Sequence, residues 1–252
     1  MRVFLCGLAV LLATPSFAQI NTERLRKQID PGVYLQLDAS GGFASGNTDY
    51  VQIGVGSRVD LVRGGGDSAF GVARYTLFVV DDVEDVSNAF AHVRYNRPLV
   101  KSVVGEAFAQ VERNAQTLLG ERVLLGGGVR FELLERESIG LAVGTTPMFE
   151  YESLQPAAME DDSYALRLSN YASVRVDVSE TAEAFGVVYV QPRAGTWDDL
   201  RVLHESRLDL RMTKAIKVRL RAALRYDSQP PIGVEDTDLM VTTGFVFTSA
   251  GE

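Results

Sequence analysis

The sequence predicts an all-β fold, a transmembrane up-and-down antiparallel β-barrel of about twelve strands. Three observations lead to this fold class. Apolar and polar residues alternate with a period of two from Pro31 almost to the end of the chain, as they do in strands with one apolar face. Short and long connections alternate between the extended segments, which is typical of outer-membrane barrels. Aromatic residues mark both ends of the apolar stretches, as in the girdles at membrane interfaces.

Residues 1–18 are typical of a cleaved secretory signal. Arg2 precedes a short apolar run at residues 3–13, and small residues stand before the expected cleavage site. Cys6 is the only cysteine and lies inside this signal, so we expect neither a disulfide nor a thiolate site in the mature chain. Residues 19–31 form a polar periplasmic leader, and no later apolar run is long enough for a transmembrane helix.

Residues 32–248 form the predicted barrel, and residues 249–252 form a short tail. In the second segment Val51, Ile53 and Val55 alternate with polar or glycine positions. At about 11–17 residues the segments exceed the usual strands of soluble sheets and suit a tilted crossing of a bilayer. The predicted segments are 32–44, 49–63, 67–80, 86–97, 101–112, 118–134, 138–151, 162–178, 183–193, 200–212, 214–227 and 237–248.

A secreted β-sandwich would show the same alternation, but three features favour the membrane barrel. The odd-numbered connections, such as residues 152–161 and 227–236, are longer on average than the even-numbered ones. The last strand is amphipathic and ends at Phe247, which resembles the insertion signal of outer-membrane barrels. The girdle aromatics are Tyr95, Phe131 and Phe247 at one end and Tyr151, Tyr164 and Tyr226 at the other.

The stretch of residues 217–226 carries a strict basic stripe on one parity and apolar residues on the other. A charge on the lipid face costs roughly 2–4 kcal/mol at the midplane, so we expect the basic parity to face the lumen. We expect any conductance to be small and to favour anions, and the double replacement of Arg219 and Arg221 by Ala to widen the lumen or reduce that preference. The candidate lumen-lining residues are Arg58, Arg74, Arg94, Arg130, Arg167, Arg175, Lys217, Arg219, Arg221, Arg225, Glu106, Glu132 and Asp177.

Catalytic chemistry has weak support in this sequence. The chain holds two histidines and no HExxH, CxxC or P-loop motif. His204 and Ser206 share one strand face, in the His-x-Ser arrangement of outer-membrane phospholipases and lipid A deacylases, but Arg207 and Leu208 stand where those enzymes usually have Asn or Gly. A nucleophile and base also need a third group to orient the base, and Glu205 faces the other way. We therefore expect no enzyme.

Binding partners are also constrained by composition. A formal net charge of −8 argues against general nucleic-acid binding, which needs an excess of basic residues. The acidic loops are interpreted as a solvated surface rather than as cation sites, so we expect no metal and no cofactor. The expected partners are outer-membrane lipid and lipopolysaccharide, and the barrel-assembly machinery during insertion.

Two stretches, GGFASGNTDY at residues 41–50 and LRYDSQPPIGVEDTDL at residues 224–239, resemble the salt-induced outer-membrane protein family of Gram-negative bacteria. The shared features are a Ser-Gly-Asn-Thr first loop and a last hairpin with paired prolines. The resemblance covers roughly residues 30–248. It implies an outer-membrane β-barrel, and it brings no established substrate, because the motifs are turn chemistry.

Two function classes follow. One is a narrow porin-like channel for small solutes with a slight anion preference. The other is a structural or envelope-stress (salt-response) barrel with a closed, ion-paired lumen. A lipid hydrolase that uses the His-x-Ser pair is a remote third.

Overall fold

Twelve strands form one closed antiparallel barrel in this computed structural model, which describes residues 31–44, 50–80 and 83–248. Each strand is hydrogen-bonded to its neighbours in sequence, and β1 pairs with β12 to close the wall. The all-β barrel predicted from the sequence is confirmed. The strands are β1 Gly32–Ala44, β2 Tyr50–Val62, β3 Ser68–Val80, β4 Val83–Val100, β5 Val103–Asn114, β6 Leu119–Glu135, β7 Ile139–Leu154, β8 Ser163–Ser179, β9 Ala182–Arg193, β10 Thr196–Arg211, β11 Ile216–Asp227 and β12 Thr237–Thr248.

Several sequence predictions fall outside the described residues. These are the signal peptide at residues 1–18, the leader except for its last residue, the Ser-Gly-Asn-Thr loop at residues 45–48 and the tail at residues 249–252. Within the described ranges the helices are two three-residue 3-10 turns, Ala115–Thr117 and Pro156–Ala158. Neither is long and apolar enough to cross a membrane.

Three strands, β4, β7 and β10, extend further than the alternation predicts, and β7 continues to Leu154. β4 runs from Val83 to Val100, where residues 86–97 were expected, and β10 begins at Thr196, inside an expected loop. Thr196 pairs with Arg193 across the turn. Strand pairing needs only backbone hydrogen bonds, so the ladders continue past the point where apolar side chains stop marking one face.

The outer face of the barrel is apolar. Val93, Val241 and Phe245 are 57%, 69% and 55% exposed. They lie on the face of the wall opposite to the one that carries buried charged residues such as Arg94. Continuous apolar exposure of this kind marks a surface that contacts lipid or a partner. Exposed rings lie at both ends of this surface, with Tyr95 and Phe131 at one end and Tyr164 and Tyr226 at the other.

The connections define two ends of the barrel. One end carries the turns after β2, β4, β6, β8 and β10; we call it the short-turn end. The other carries the connections after the odd-numbered strands, including residues 155–162 and 228–236; we call it the long-loop end. In outer-membrane barrels the short turns are periplasmic and the longer loops extracellular.

Candidate functional site in the barrel lumen

The inner face of the barrel carries its charged residues. The structure places every candidate from the sequence on this face, where the side chains are buried or half-buried and most form ion pairs. These residues are Arg58, Arg74, Arg94, Arg130, Arg167, Arg175, Lys217, Arg219, Arg221, Arg225, Glu106, Glu132 and Asp177. The apolar parity of β11 lies on the opposite face, where Leu220, Leu224 and Tyr226 are exposed.

Two arginines of the basic stripe of β11 are paired with acids on β10. Nε and Nη2 of Arg219 donate to the two carboxylate oxygens of Asp209 at 2.6 and 2.7 Å, and these two residues stand directly opposite in the strand register. Nη2 of Arg221 donates to Glu205 at 2.5 Å. Bidentate and charge-assisted pairs of this kind fix side-chain direction as well as adding energy. These two arginines are therefore held against one wall of the lumen.

A belt of apolar and aromatic side chains fills the middle of the lumen. Leu124, Met148 and Leu203 are at most 2% exposed although they face the interior of the barrel. Together with Tyr171 and Tyr189 they line an internal cavity of only about 30 Å³. We call these five residues the central belt. Barrels of about eight strands are filled by side chains whereas 16-stranded porins hold an aqueous channel, and this belt brings a 12-stranded barrel close to the filled case.

Glycines in the wall make room for two of the rings that fill the lumen. A Cβ at Gly126 would lie 2.6 Å from the ring of Phe108, and a Cβ at Gly144 would lie 2.2 Å from the ring of Tyr171. Both distances are below any normal contact, so a larger residue would displace the ring. Gly126 of β6 and Gly144 of β7 thus allow close packing of these rings.

A stack of aromatic rings adjoins the belt. His92 lies between Phe70 and Phe108, with ring centroids 5.8 and 5.5 Å apart. Its Nδ1 is 3.1 Å from Oε1 of Gln110. Arg58 and Arg94 cover the two ends of the stack, over Phe70 at 4.0 Å and over Phe108 at 5.3 Å. Cation–π contacts of this kind stabilise buried guanidinium groups.

Glu106 joins the belt to the charges around it. The hydroxyl of Tyr171 donates to its carboxylate at 2.8 Å, and Arg94 and Arg130 lie 3.7 and 3.5 Å from it. This carboxylate is almost completely buried. A buried carboxylate needs such partners, because an unpaired charge in a low-dielectric interior is very costly.

A larger network of ion pairs lies at the long-loop end. Glu150 accepts from Arg167 at 2.9 Å and from Arg201 at 2.7 Å. Glu152 accepts from Arg122 at 2.5 Å and from Arg201 at 3.2 Å. Arg201 also donates to Asp227 at 2.7 Å, and Arg167 to Asp199 at 2.8 Å. We call this group the long-loop cluster; its members are Arg122, Glu150, Glu152, Arg167, Asp199, Arg201 and Asp227.

Sequence reasoning missed most of the long-loop cluster. Of its members, only Arg167 was among the candidates. Glu152 and Asp199 fall in predicted loops, but β7 and β10 continue through them. Glu150 and Arg201 lie within predicted strands and share the parity of Gly144 and Arg207. Their parity within the predicted strands was therefore the signal that could have identified them as lumen residues.

The loop side chain Asp162 is also held at this end. Hydrogen bonds from Ser153 and from the Tyr151 hydroxyl, the latter at 2.9 Å, lower the pKa of the Asp162 carboxyl below its usual value. Asp162 therefore stays negatively charged at the rim of the long-loop end. Its charge adds to the acidic character of that rim.

His204 and Ser206 lie on the outer face of β10. His204 is exposed and Ser206 is half-buried, and the hydrogen bonds of the described residues include none between the two side chains. Their strand neighbours on this face are Leu224, Val188, Ala222 and Gly186. None of these neighbours carries a group that would orient a histidine as a base.

No metal centre is formed by the described part of the chain, since no three His, Cys, Asp or Glu side chains in it cluster suitably. The lumen acids described above instead pair with arginines. Carboxylates that already accept from guanidinium groups are poorly placed to ligate a cation.

Comparison with known proteins gives a family for this chain. A family model described as "Protein of unknown function, DUF481" matches residues 37–248. No curated protein matches the chain. The salt-induced family name drawn from the turn motifs stays a prediction.

Solved structures of porins and of autotransporter barrels are similar to this chain. A NanC porin structure is similar, with 12% identity and a TM-score of 0.52 over 85% of this chain and 100% of that one. A KdgM porin in complex with disordered oligogalacturonate has 8% identity and a TM-score of 0.48 over 85% and 99%. The translocator domain of autotransporter NalP from Neisseria meningitidis has 10% identity and a TM-score of 0.42 over 87% and 89%. At these identities the likeness shows the fold alone.

Proposed function

Because the chain belongs to the family of unknown function DUF481, and because its barrel is porin-like in architecture, we propose that it is an outer-membrane channel of very small bore that passes small anions. The observation that carries this proposal is the central belt, which has charged residues of the lumen on both sides of it. A belt whose members are almost inaccessible to water excludes sugars and larger solutes. Only small ions remain as cargo.

The anion preference is supported by the basic stripe of β11. Lys217, Arg219, Arg221 and Arg225 face the lumen from a single strand. Arg74 on β3 lines the same cavity as Arg219 and Arg221. A lumen lined by cationic groups raises the local concentration of anions. Nearby acids reduce this effect, so the preference is expected to be modest.

Location in a Gram-negative outer membrane is part of the same proposal. The exposed apolar outer face favours a lipid surrounding, because removing apolar surface from water stabilises the protein by roughly 25 cal/mol for each Å². The rings at its two ends suit the headgroup regions of a bilayer. Lipid, lipopolysaccharide and the barrel-assembly machinery are the partners that such a protein would meet.

Conductance of the purified, refolded protein tests the proposed channel. We expect the mature protein to fractionate with outer membranes and to give small single-channel currents in planar bilayers, well below those of a 16-stranded porin. The reversal potential in a KCl gradient should show preference for chloride. Clear cation selectivity of the unmodified protein, or recovery as a soluble periplasmic monomer, would contradict the proposal.

A closed structural barrel is the second candidate, and the same belt favours it. The ion pairs of the long-loop cluster and the fully buried belt residues would also suit a protein that stiffens the envelope under salt stress. Complete absence of current from correctly folded barrels would favour this function. Correct folding would be checked by the slower migration of heated samples in SDS gels.

The proposal includes no enzymatic activity. We expect Ser206→Ala to leave any lipase or deacylase background unchanged, because nothing on the outer face of β10 orients His204 as a base. Hydrolysis of phospholipid and lipid A by the refolded protein would be measured for wild type and variant. Turnover by the wild type that disappears in Ser206→Ala would show that the pair is catalytic.

A further inference from the structure

Arg74 is a half-buried cation of the lumen, and part of its guanidinium group is left without an acceptor. Its Nε and Nη1 are buried and have no hydrogen-bond partner in the described part of the chain. The other arginines of the lumen interior that surround it, Arg219 and Arg221, both donate to carboxylates. Buried guanidinium donors without acceptors are costly, so a group outside the protein chain is the natural acceptor.

A cavity lies beside this side chain. It has a volume of about 60 Å³ and is lined by Arg74, Arg219, Arg221 and Asp38 among its charged groups. A single water needs only roughly 10–15 Å³ of such volume, so there is room for an anion of several oxygens. Three cations and one carboxylate line the space, while the acids paired with Arg219 and Arg221 do not.

Small residues in the wall create this room. Gly54 and Gly244 occupy inward positions on β2 and β12, between Arg74 on one side and Arg219 on the other. A Cβ at Gly54 would lie 2.5 Å from the Ser40 hydroxyl, and one at Gly244 would lie 3.0 Å from the Ala39 carbonyl. Larger residues at either position would intrude on the cavity wall.

Hydroxyl groups add neutral donors to the cationic ones. Ser40, Thr76 and Thr242 line the same cavity, and the hydroxyls of Ser40 and Thr76 both lean over Gly54. A tetrahedral oxyanion accepts hydrogen bonds from several directions at once, and arginine binds such anions in a fork geometry. Chloride makes less use of this donor set.

From these contacts we infer a binding site for a small oxyanion, phosphate or sulfate, at Arg74, in the cavity lined by β1, β2, β3, β11 and β12. The inference builds on the proposed anion preference of the lumen, and it names the class of anion that the lumen holds. It does not require that the anion cross the barrel.

Asp38 sets the affinity of this site. Its carboxylate faces the same cavity and acts electrostatically on both Arg74 and Arg219, and the ion pairs of the described residues include none formed by it. A carboxylate next to a bound oxyanion repels it. Replacement by the isosteric amide removes that repulsion and keeps the shape.

Isothermal titration of the refolded barrel with sodium phosphate, sulfate and acetate, at constant ionic strength in chloride, tests the site. We expect one phosphate or sulfate per barrel and weaker binding of acetate. Arg74→Met should weaken phosphate binding by roughly ten- to a hundredfold, the range of a charged hydrogen-bonding group. Asp38→Asn should tighten it.

Arg58→Met is the matched control, because Arg58 faces the lumen but is paired with Asp60 at 2.7 Å and stacks on Phe70. Phosphate binding should survive this change. Equal losses in the Arg58 and Arg74 variants would reduce the effect to general lumen charge and overturn the site, as would titrations with no phosphate binding. If Arg74→Met does not refold, the opposite effect expected of Asp38→Asn decides the matter.

Conductance measured on the same samples separates this inference from the proposed function. Barrels that bind phosphate but carry no current would overturn the channel and leave the site standing. Barrels that conduct but bind no oxyanion would overturn the site alone.

Discussion

Replacing Glu150 by Gln is expected to lower the free energy of unfolding by about 3–5 kcal/mol, the usual loss when one partner of a buried ion pair is removed. Glu150 accepts from Arg167 and Arg201, at 2.9 and 2.7 Å, and its side chain is 4% exposed. The amide keeps the shape but leaves two buried guanidinium groups with fewer compensating charges. Urea unfolding in lipid vesicles, and the temperature at which heated samples lose the folded band in SDS gels, would measure the loss.

Glu183→Gln is the matched control for this prediction. Glu183 also pairs with an inward arginine, Arg207, but at 3.4 Å, and its side chain is 33% exposed near the short-turn end. Partly exposed pairs contribute less than about 1 kcal/mol. If the Glu150 and Glu183 variants unfold at the same urea concentration, the long-loop cluster does not stabilise the barrel.

Local pattern was sufficient for the wall of the barrel. The side-chain period of a strand is two, so the sequence determines which residues share a face once the strand is recognised. This is why the inward position of Arg219 and the outward position of Leu220 follow from residues 217–226 alone. The cost of a charge in lipid then decides which face is the lumen.

Contacts across the lumen could not be predicted in the same way. Tyr171 donates to Glu106, 65 positions earlier in the chain, and this pairing depends on the diameter of the closed barrel and on the stagger of its strands. The alternation does not encode either quantity. The central belt was missed for the same reason, because Leu203 and Met148 resemble ordinary apolar residues of a strand until their parity is combined with the closed barrel.

The long-loop cluster shows a second limit. Two of its acids, Glu152 and Asp199, lie near the long-loop ends of β7 and β10, where the sequence resembles a loop. Backbone pairing carries these strands further. Main-chain hydrogen bonds do not depend on the hydropathy of the side chains. The hydropathy pattern therefore predicts the ends of strands less well than any other part of such a barrel.

Replacing Arg219 and Arg221 together by Ala is expected to convert the modest anion preference into a preference for cations. The sequence alone suggested that this change would widen the lumen or weaken the preference. The structure sharpens the expectation, because the two arginines neutralise Asp209 and Glu205. Their removal leaves Glu205 without its partner Arg221, and leaves Asp209 with the more distant Arg207 at 3.9 Å. Carboxylates that line a pore favour cations.

A second step separates charge from width in this experiment. Adding Asp209→Asn and Glu205→Gln to the double variant removes both carboxylate charges without refilling the space left by the arginines. We expect the quadruple variant to keep the larger conductance and to lose the cation preference, as shown by a reversal potential near zero in a KCl gradient. If the double variant still prefers anions as strongly as the wild type, Arg219 and Arg221 do not set the selectivity of the lumen. Selectivity would then have to come from charges elsewhere along the barrel wall.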